Sequence, residues 1–344
     1  MNRFTYSQTH SILQTLTEMI PGSGTKFIAG GTNLIDLMRA NVENPGHLID
    51  ITQLDLGNIE DTDDGGLLLG ALVKNADTAY HEKVQRRYPL LAKAILAGAS
   101  AQLRNMATNG GNLLQRTRCY YFYDTATPCN KRVPGQGCSA RQGFNRIHAI
   151  LGHSEHCIAT HPSDMCVALA ALDARIRVIS KDGERTIPFS EFHRLPGDTP
   201  HLDTNLAPGE LITGIALPPD NFADHYQYIK IRDRRSYAFA LVSVAAALAL
   251  DGDRIIRARL ALGGVAPKPW RNENAENFLE GKQAEDSVFQ QAADRIMSEA
   301  QGFRYNEFKI GLAKRAIVRA LAEARDLQTP EPLNCYTYNR HQQL

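Results

Sequence analysis

Apolar and polar residues alternate along the chain in short blocks that predict both strands and helices. Residues 26–28 predict a strand, the Gly-Gly segment at 29–33 predicts a turn, and the apolar 3–4 spacing from Leu34 onward predicts a helix. Ser163 is a favoured helix N-cap ahead of an apolar face at residues 165–172. Further strands are predicted at residues 48–51, 66–70 and 174–178. The first part of the chain is therefore expected to be mixed α and β.

A polar, proline-containing segment at residues 217–221 is the clearest domain boundary in the sequence. Beyond it, helices are predicted after the last strand, and the final helix spans residues 306–326. The strands of this region are predicted at residues 226–231, 237–250 and 255–262. These elements predict a separate C-terminal α+β domain. The polar residues 328–344 predict an extended tail.

An irregular stretch at residues 109–154 is rich in Gly, Pro, Asn, Arg and Cys, and it is too long for a loop that nothing organises. Four cysteines lie in or beside it with the spacing C-x9-C-x8-C-x18-C: Cys119, Cys129, Cys138 and Cys157. Four thiolates suit a metal centre that supplies folding energy. Because close C-x2-4-C pairs are missing, the spacing favours a [4Fe–4S] cluster over zinc, while disulfides and free thiols stay open.

Other metal-binding residue types near this stretch are expected to be structural. Cys166 lies in an apolar helical run and is predicted to be a small buried hydrophobe, and Cys335 has no evident partner. Four histidines are predicted to form hydrogen bonds rather than to bind metal: His148, His153, His156 and His161.

Two Gly-Gly turns indicate anion binding. At residues 29–33, adjacent glycines allow positive φ and turn backbone N–H groups toward one point at the start of a helix. Either turn alone is more often a simple turn, but together with residues 108–113 the pair is expected to converge on the phosphates of one dinucleotide. No Walker A loop occurs, and residues 22–24 fail the Rossmann fingerprint because Phe27 occupies the third glycine position. ATP-binding and classical NAD-binding folds are therefore disfavoured.

Charge and hydropathy narrow the range of partners. The 344 residues include 38 Lys and Arg and 37 Asp and Glu, so the formal charge of +1 disfavours nucleic acid and acidic membranes. The longest apolar run, residues 237–250, contains Ser243, and no membrane span is expected. The first residues lack the apolar core of an export signal. We therefore expect the chain to stay in the cytoplasm unless a partner carries it out.

Five motifs, in the same order along the chain, resemble the FAD-binding medium subunit of molybdenum hydroxylases, the xanthine dehydrogenase family. They lie at residues 26–34, 102–105, 110–113, 161–164 and 209–212. Three further segments are most similar to the FAD and [4Fe–4S] subunit of bacterial periplasmic aldehyde oxidoreductases: residues 116–122, 128–132 and 230–240.

The resemblance implies an α+β fold in three parts and a tail. Residues 1–220 would form a two-part FAD-binding domain of the vanillyl-alcohol-oxidase or PCMH type, divided into 1–58 and 59–220. A cysteine-rich [4Fe–4S] insertion would occupy about 114–160 of the second part. Residues 225–327 would form a C-terminal domain of the CO dehydrogenase flavoprotein type that covers the flavin, and 328–344 the extended tail.

The resemblance also implies roles for individual residues. The FAD pyrophosphate would be wrapped by Lys26, Phe27, Ile28, Ala29, Gly30, Gly31, Thr32, Asn33 and Leu34. The second turn on the phosphate side would be Thr108, Gly111 and Asn112. Asp164 would hydrogen-bond the ribose or adenine side, Ile212 would pack on the adenine or the ring system, and Lys230 would lie near the isoalloxazine. The four spaced cysteines would ligate the cluster. Tyr237 is expected either to stack near the flavin or to be a core residue of a strand.

In function, the resemblance implies an electron-transfer subunit with no catalytic residue of its own. Electrons would pass from a molybdenum-cofactor large subunit, through a [2Fe–2S] small subunit, to this FAD and then to an external acceptor. A twin-arginine signal on the small subunit would carry the complex to the periplasm, with the cytoplasm as the alternative. Two other functions stay open: the corresponding subunit of a hydroxybenzoyl-CoA reductase, with inward electron flow, and a zinc-binding scaffold without flavin.

Overall fold

The structure, a computed structural model, describes residues 1–219 and 222–327. The predicted tail at 328–344, including Cys335, lies outside the described residues. The first part of the chain is a three-stranded parallel sheet with the strand order β1-β3-β2, because β3 pairs in register with both other strands. Its elements are β1 (Thr5–Gln8), α1 (Ile12–Glu18), β2 (Thr25–Ile28), α2 (Leu34–Arg39) and β3 (His47–Asp50).

The middle part is a five-stranded antiparallel sheet with the order β4-β5-β8-β6-β7, packed against helices. Its strands are β4 (Ile59–Asp61), β5 (Leu67–Gly70), β6 (Arg175–Ser180), β7 (Gly183–Pro188) and β8 (Leu211–Leu217). Its helices are α3 (Asn75–Tyr80), α4 (Glu82–Arg87), α5 (Pro89–Ala97), α6 (Ala101–Arg104), α7 (Asn109–Leu113), α8 (Tyr120–Tyr123), α9 (Asp164–Ala171) and α10 (Phe189–Phe192). Ser163 caps α9 by accepting a hydrogen bond from the Cys166 N–H, as its sequence position predicts.

The C-terminal part is a four-stranded antiparallel sheet with the order β12-β11-β10-β9. Its strands are β9 (Tyr226–Ile231), β10 (Val242–Asp251), β11 (Arg254–Gly263) and β12 (Trp270–Arg271). Three helices cover it: α11 (Glu273–Leu279), α12 (Asp286–Ile296) and α13 (Phe308–Arg325). The prediction of a strand over 237–250 is wrong at its start, because Tyr237 has a φ of +50° and pairing with β9 begins only at Val242.

Strand β10 is buried on both faces, which explains its uninterrupted apolar composition. Val244 and Ala246 contact the core of the C-terminal part, beneath α12 and α13. Ala245 and Ala247 point the other way and belong to the core of the middle part, which also contains α5 and α9. The C-terminal sheet therefore joins the middle part through a continuous apolar core. Within the described residues, no helix is long and apolar enough to cross a membrane.

A buried carboxylate stabilises the edge of this sheet. Glu276 is 2% exposed, accepts two hydrogen bonds of 2.8 Å from the Arg271 guanidinium, and accepts a third from the Leu260 N–H. Bidentate pairing of this kind is geometrically specific, and loss of one partner leaves the other charge buried.

We expect Glu276→Ala to lower the free energy of unfolding by about 3 kcal/mol, because it leaves the guanidinium and the N–H without this acceptor. Thermal unfolding of the purified chain measures this as a lower Tm. The control is Glu82→Ala, which removes an exposed pair with Arg86 and should leave Tm nearly unchanged. Equal Tm values for the two variants would contradict the role of Glu276.

Candidate functional site

A cavity of about 550 Å³ lies where the three parts of the chain meet. Five separate chain segments contribute to its wall, which is the usual construction of a cofactor site. Its lining includes Thr32 and Asn33 from the first Gly-Gly turn, Gly111 and Asn112 from the second, Ser163 and Asp164 at the start of α9, Lys230 on β9, and the loop residues Tyr237 and Phe239.

The first turn presents backbone N–H groups that the protein itself does not use. Gly31 has a φ of +68°, and the chain then enters α2. In the part of the chain that the structure describes, the N–H groups of Gly31, Thr32, Asn33 and Leu34 have no protein acceptor, whereas the Ile35 N–H donates to the Gly31 carbonyl at 3.0 Å. Free N–H groups at such a turn suit a phosphate oxygen.

Two buried side-chain donors beside this turn also lack a partner. The Asn33 Oδ1 accepts a hydrogen bond of 2.9 Å from the Arg116 N–H, while its Nδ2 is buried and unbonded. The Arg104 Nη1 donates to the Gly98 carbonyl at 2.7 Å, while its Nε is likewise buried and unbonded. A buried donor without an acceptor is costly, so both atoms fit a ligand that carries acceptor oxygens. Both residues line the cavity.

The first Gly-Gly turn is in backbone contact with residues 106–107, which come directly before the second turn. A Cβ at Gly30 would lie 2.0 Å from the Met106 carbonyl oxygen, so only glycine allows this approach. The second turn nevertheless uses its own N–H groups: Gly110 donates to Ala71, and Gly111 and Asn112 both donate to Thr108. The turns are adjacent as expected, but only the first presents free N–H groups, and the second contributes side chains and glycine surface.

Asp164 and Lys230 form a buried ion pair in the cavity wall, with 2.7 Å between Oδ2 and Nζ. The Tyr228 hydroxyl donates to the other carboxylate oxygen at 2.7 Å, and burial together with this carboxylate raises the pKa of Tyr228 well above its usual value. The structure therefore brings Asp164 and Lys230 together in the cavity wall. That Asp164 contacts the ribose or adenine side and Lys230 lies near the isoalloxazine stays a prediction.

Other residues from the sequence interpretation lie outside the cavity lining. Ile212 belongs to the core of the middle part on β8, and Phe27 packs in the small core beneath the first sheet. Lys26 extends outward to Glu43, with 2.6 Å between Nζ and Oε2. Thr108 acts as the N-cap of α7. The remaining residues of the first turn, Ile28, Ala29, Gly30, Gly31 and Leu34, form its backbone frame.

Two residues of the cavity lining have a strained backbone that the sequence does not signal. Ala99 and Tyr237 have φ values of +51° and +50°, a region that side chains other than glycine rarely adopt. The Arg234 guanidinium donates to the Tyr237 carbonyl at 3.1 Å and fixes the loop. Tyr237 is 62% exposed, so it is not a strand-core residue. It stands at the mouth of the cavity.

The four spaced cysteines meet at a second, smaller site. Cys119, Cys129, Cys138 and Cys157 line one small cavity, and all four are free thiols. Burial raises the pKa of Cys119 to about 12 and that of Cys157 to about 11. The Nε2 of His148 lies 3.1 Å from the Cys119 Sγ.

The spacing of these sulfurs differs from that of a single-ion site. Within residues 1–219 and 222–327, the one group of three or more ligand atoms that are close enough for a single ion is His161, Cys166 and His193. The four cysteines do not form such a group. Tetrahedral zinc would need its sulfurs about 3.8 Å apart, from a Zn–S bond of about 2.3 Å.

A charged network connects the cysteine-rich insertion to the first turn. Arg116 contacts both Glu43 and Asp203, and Lys131 also contacts Asp203. Burial alone would raise the pKa of Asp203, but Lys131 and Arg116 hold it below its usual value. Glu43 in turn bonds Lys26 beside the first turn. These salt bridges therefore link the cysteine-rich insertion to the segment that forms the cavity wall.

Comparison with known proteins identifies the family to which this chain belongs. A family model described as the FAD binding domain in molybdopterin dehydrogenase matches residues 2–220, and one described as the CO dehydrogenase flavoprotein C-terminal domain matches residues 226–324. The chain belongs to the FAD-binding subunits of the molybdenum hydroxylase family. It is therefore an oxidoreductase subunit, and the predicted family and fold class are confirmed. A scaffold without flavin is excluded.

Similar proteins cover nearly the whole chain. It is 53% identical over 326 residues to the aldehyde oxidoreductase FAD-binding subunit PaoB of Escherichia coli (strain K12), covering 94% of this chain and 99% of that protein. It is 29% identical to the glyceraldehyde dehydrogenase medium chain of Sulfolobus acidocaldarius, covering 86% and 88%. Carbon monoxide dehydrogenase from Hydrogenophaga pseudoflava has a similar structure, with a TM-score of 0.72, 25% identity, and coverage of 94% and 97%.

The residues of the cavity fit FAD on structural grounds. The free N–H groups of the first turn and the unbonded Asn33 Nδ2 and Arg104 Nε supply donors for a pyrophosphate. The exposed Tyr237 and Phe239 provide aromatic surface at the mouth, where a flat ring can lie. Arg104, Ala99 and Phe239 are additions to the predicted set.

We expect Asn33→Asp to lower FAD affinity about 10- to 100-fold. The substitution keeps the acceptor for the Arg116 N–H but replaces a donor with a negative charge beside the phosphates. Titration of the flavin-free protein with FAD, followed by flavin fluorescence, measures the change. Asn58→Asp, at an exposed residue outside the lining, is the control; equal affinities for the two variants would show that Asn33 does not face the cofactor.

Gly30→Ala should lower the affinity for FAD by about tenfold or more, because its Cβ would force the Met106 carbonyl away and separate the two turns. The bound flavin per purified chain measures this loss. Gly57→Ala is the matched control, since a Cβ there meets no atom within 4 Å. Full flavin content in the Gly30 variant would mean that the contact between the turns is not needed.

Proposed function

We propose that this chain is the FAD- and [4Fe–4S]-containing electron-transfer subunit of a heterotrimeric molybdenum-dependent aldehyde oxidoreductase. The observation that carries the proposal is the 53% identity, over almost the full length, to a subunit named for that activity. The meeting of four cysteines at one cavity beside the FAD site supports the cluster.

The chemistry of the cysteine site favours an iron–sulfur cluster over zinc. Buried thiols with pKa values near 11 and 12 stay protonated by themselves, so a strongly positive centre is needed to bind them as thiolates. Four cysteine ligands are the usual set for a [4Fe–4S] cluster. Their spacing is wider than a single zinc ion accepts.

Electron transfer in this subunit would need no nucleophile or acid–base residue. FAD, when bound, accepts electrons one or two at a time, and the chain provides its binding and electrostatic environment. Substrate oxidation would take place in a molybdenum-cofactor large subunit, and a [2Fe–2S] small subunit would deliver the electrons. Outward flow to an external acceptor follows from the similarity to an aldehyde oxidoreductase subunit; a hydroxybenzoyl-CoA reductase would use the same parts with inward flow.

The proposed location is the periplasm, reached as a folded complex through an export signal on a partner subunit. The alternative is the cytoplasm. Fractionation of cells that express all the subunits distinguishes the two, because the chain follows its partners only if export takes place after assembly.

Anaerobic purification of the full chain, with an absorbance spectrum and assays for flavin, iron, sulfide and zinc, tests the proposal. FAD with about four iron and four sulfide per chain is the expected result. FAD without iron would refute the cluster and leave the flavoprotein assignment intact. Aldehyde-dependent reduction of the flavin in the complete complex tests the direction of electron flow.

Cys129→Ala should remove most of the iron while FAD stays bound, because the ligand belongs to the cysteine site and not to the FAD cavity. Metal analysis and the flavin spectrum of the same sample give both values. Cys166→Ala, at a buried cysteine in α9, is the control and should retain both cofactors. Iron loss in the Cys166 variant alone would contradict the assigned ligands.

A further inference from the structure

We propose that the imidazole of His148 donates its Nε2–H to the sulfur of Cys119, and that this hydrogen bond raises the reduction potential of the cluster. His148 is here a positioning residue that acts through the ligand sulfur. The inference rests on the proposed [4Fe–4S] cluster.

The geometry determines which atom carries the proton. The Nε2 of His148 is 3.1 Å from the Cys119 Sγ, and His148 is 1% exposed, so no bulk water intervenes. A cysteine that ligates metal is a thiolate and has no proton to donate. The proton between these two atoms is therefore on Nε2. The other ring nitrogen, Nδ1, has no hydrogen-bond partner among the described residues, so nothing there demands the proton.

The ring is held in place from the C-terminal part of the chain. The Lys309 Nζ donates to the His148 carbonyl at 2.8 Å, and the Asn306 Nδ2 donates to the same carbonyl at 3.1 Å. Asn306 also bonds the Ala149 carbonyl at 3.2 Å. The backbone of His148 is thus fixed by the start of α13, while its side chain reaches the cysteine site. Two parts of the chain far apart in sequence cooperate at one ligand.

Lys309 is an unusual residue to find at this depth. It is 0% exposed, and both hydrogen bonds of its Nζ go to backbone carbonyls, of His148 and Gly264, rather than to a carboxylate. A buried ammonium is costly unless a negative group lies nearby. Burial, with a smaller contribution from Arg146, lowers its pKa to about 7. Its hydrogen bond to the His148 carbonyl helps to fix the segment that carries the imidazole.

The direction of the effect follows from charge. Reduction adds one electron to the cluster and no proton, so the reduced form is more negative than the oxidised form. A hydrogen bond to a ligand sulfur stabilises the more negative form and therefore raises the potential. Loss of the His148 donor should lower it.

The test is a redox titration of the purified holoprotein, monitored by electron paramagnetic resonance, for wild type, His148→Phe and His148→Gln. The Phe variant keeps an aromatic ring without a donor, and the Gln variant restores an N–H. We expect the Phe variant to shift the reduction equilibrium about tenfold toward the oxidised form, or about 59 mV for one electron. The Gln variant should lie closer to wild type.

His153→Phe is the matched control. His153 belongs to the same chain segment and packs edge-on against Phe303, with 5.0 Å between ring centroids. The reduction potential of the cluster in this variant should equal that of wild type. Iron, sulfide and flavin contents are measured on every sample, so that each potential refers to a filled site.

Each other result has a definite meaning. An unchanged potential in the Phe variant, with iron retained, would overturn the inference while the cluster assignment stands. Wild type without iron would overturn both. If His148→Phe loses its iron, the Gln variant decides: a potential near that of wild type supports the hydrogen bond, and loss of iron there too would show that the ring acts through packing.

Discussion

Arg116 connects the parts of this subunit on which everything else depends. Its backbone N–H fixes the Asn33 side chain in the first turn, and its guanidinium joins Glu43 of the first part to Asp203 of the middle part. Cys119 follows three residues later. A single residue therefore relates the phosphate-binding turn to the cysteine site. Since the carboxylates are largely buried, these contacts are screened less by salt than surface pairs would be.

The C-terminal part contributes to both the cavity and the cysteine site. One face of strand β10 packs in the core under α13 and the other in the core around α9, so the sheet is packed firmly against the FAD-binding part. The neighbouring strand β9 brings Lys230 to the cavity, and the loop before β10 brings Tyr237 and Phe239. At the other end, Asn306 and Lys309 reach the cysteine-rich insertion. The placement of the cavity and of the cysteine site thus follows from the same packing.

Local patterns were sufficient for the elements that local interactions form. The Gly-Gly turn between β2 and α2, the Ser163 cap and the four cysteines all follow from short-range signals, and the resemblance supplied the family. The pairing of Asp164 with Lys230 could not be predicted from such signals, because tertiary packing brings together two residues that are 66 positions apart. The apolar run at 237–250 predicted a strand where the structure has a loop at Tyr237, because hydrophobicity alone does not indicate a positive φ. Arg104 lies in the motif at residues 102–105, but that motif assigned it no role, and only its unbonded Nε in the fold marks it as a donor for a ligand.

The depth of the cysteine site has a consequence for how the subunit is made. Cys119, Cys129 and Cys157 are only 5 to 8% exposed, and the start of α13 is bonded across the segment that carries His148. For the proposed cluster, this burial would require delivery of iron and sulfide before the insertion closes, or through local opening of the folded chain.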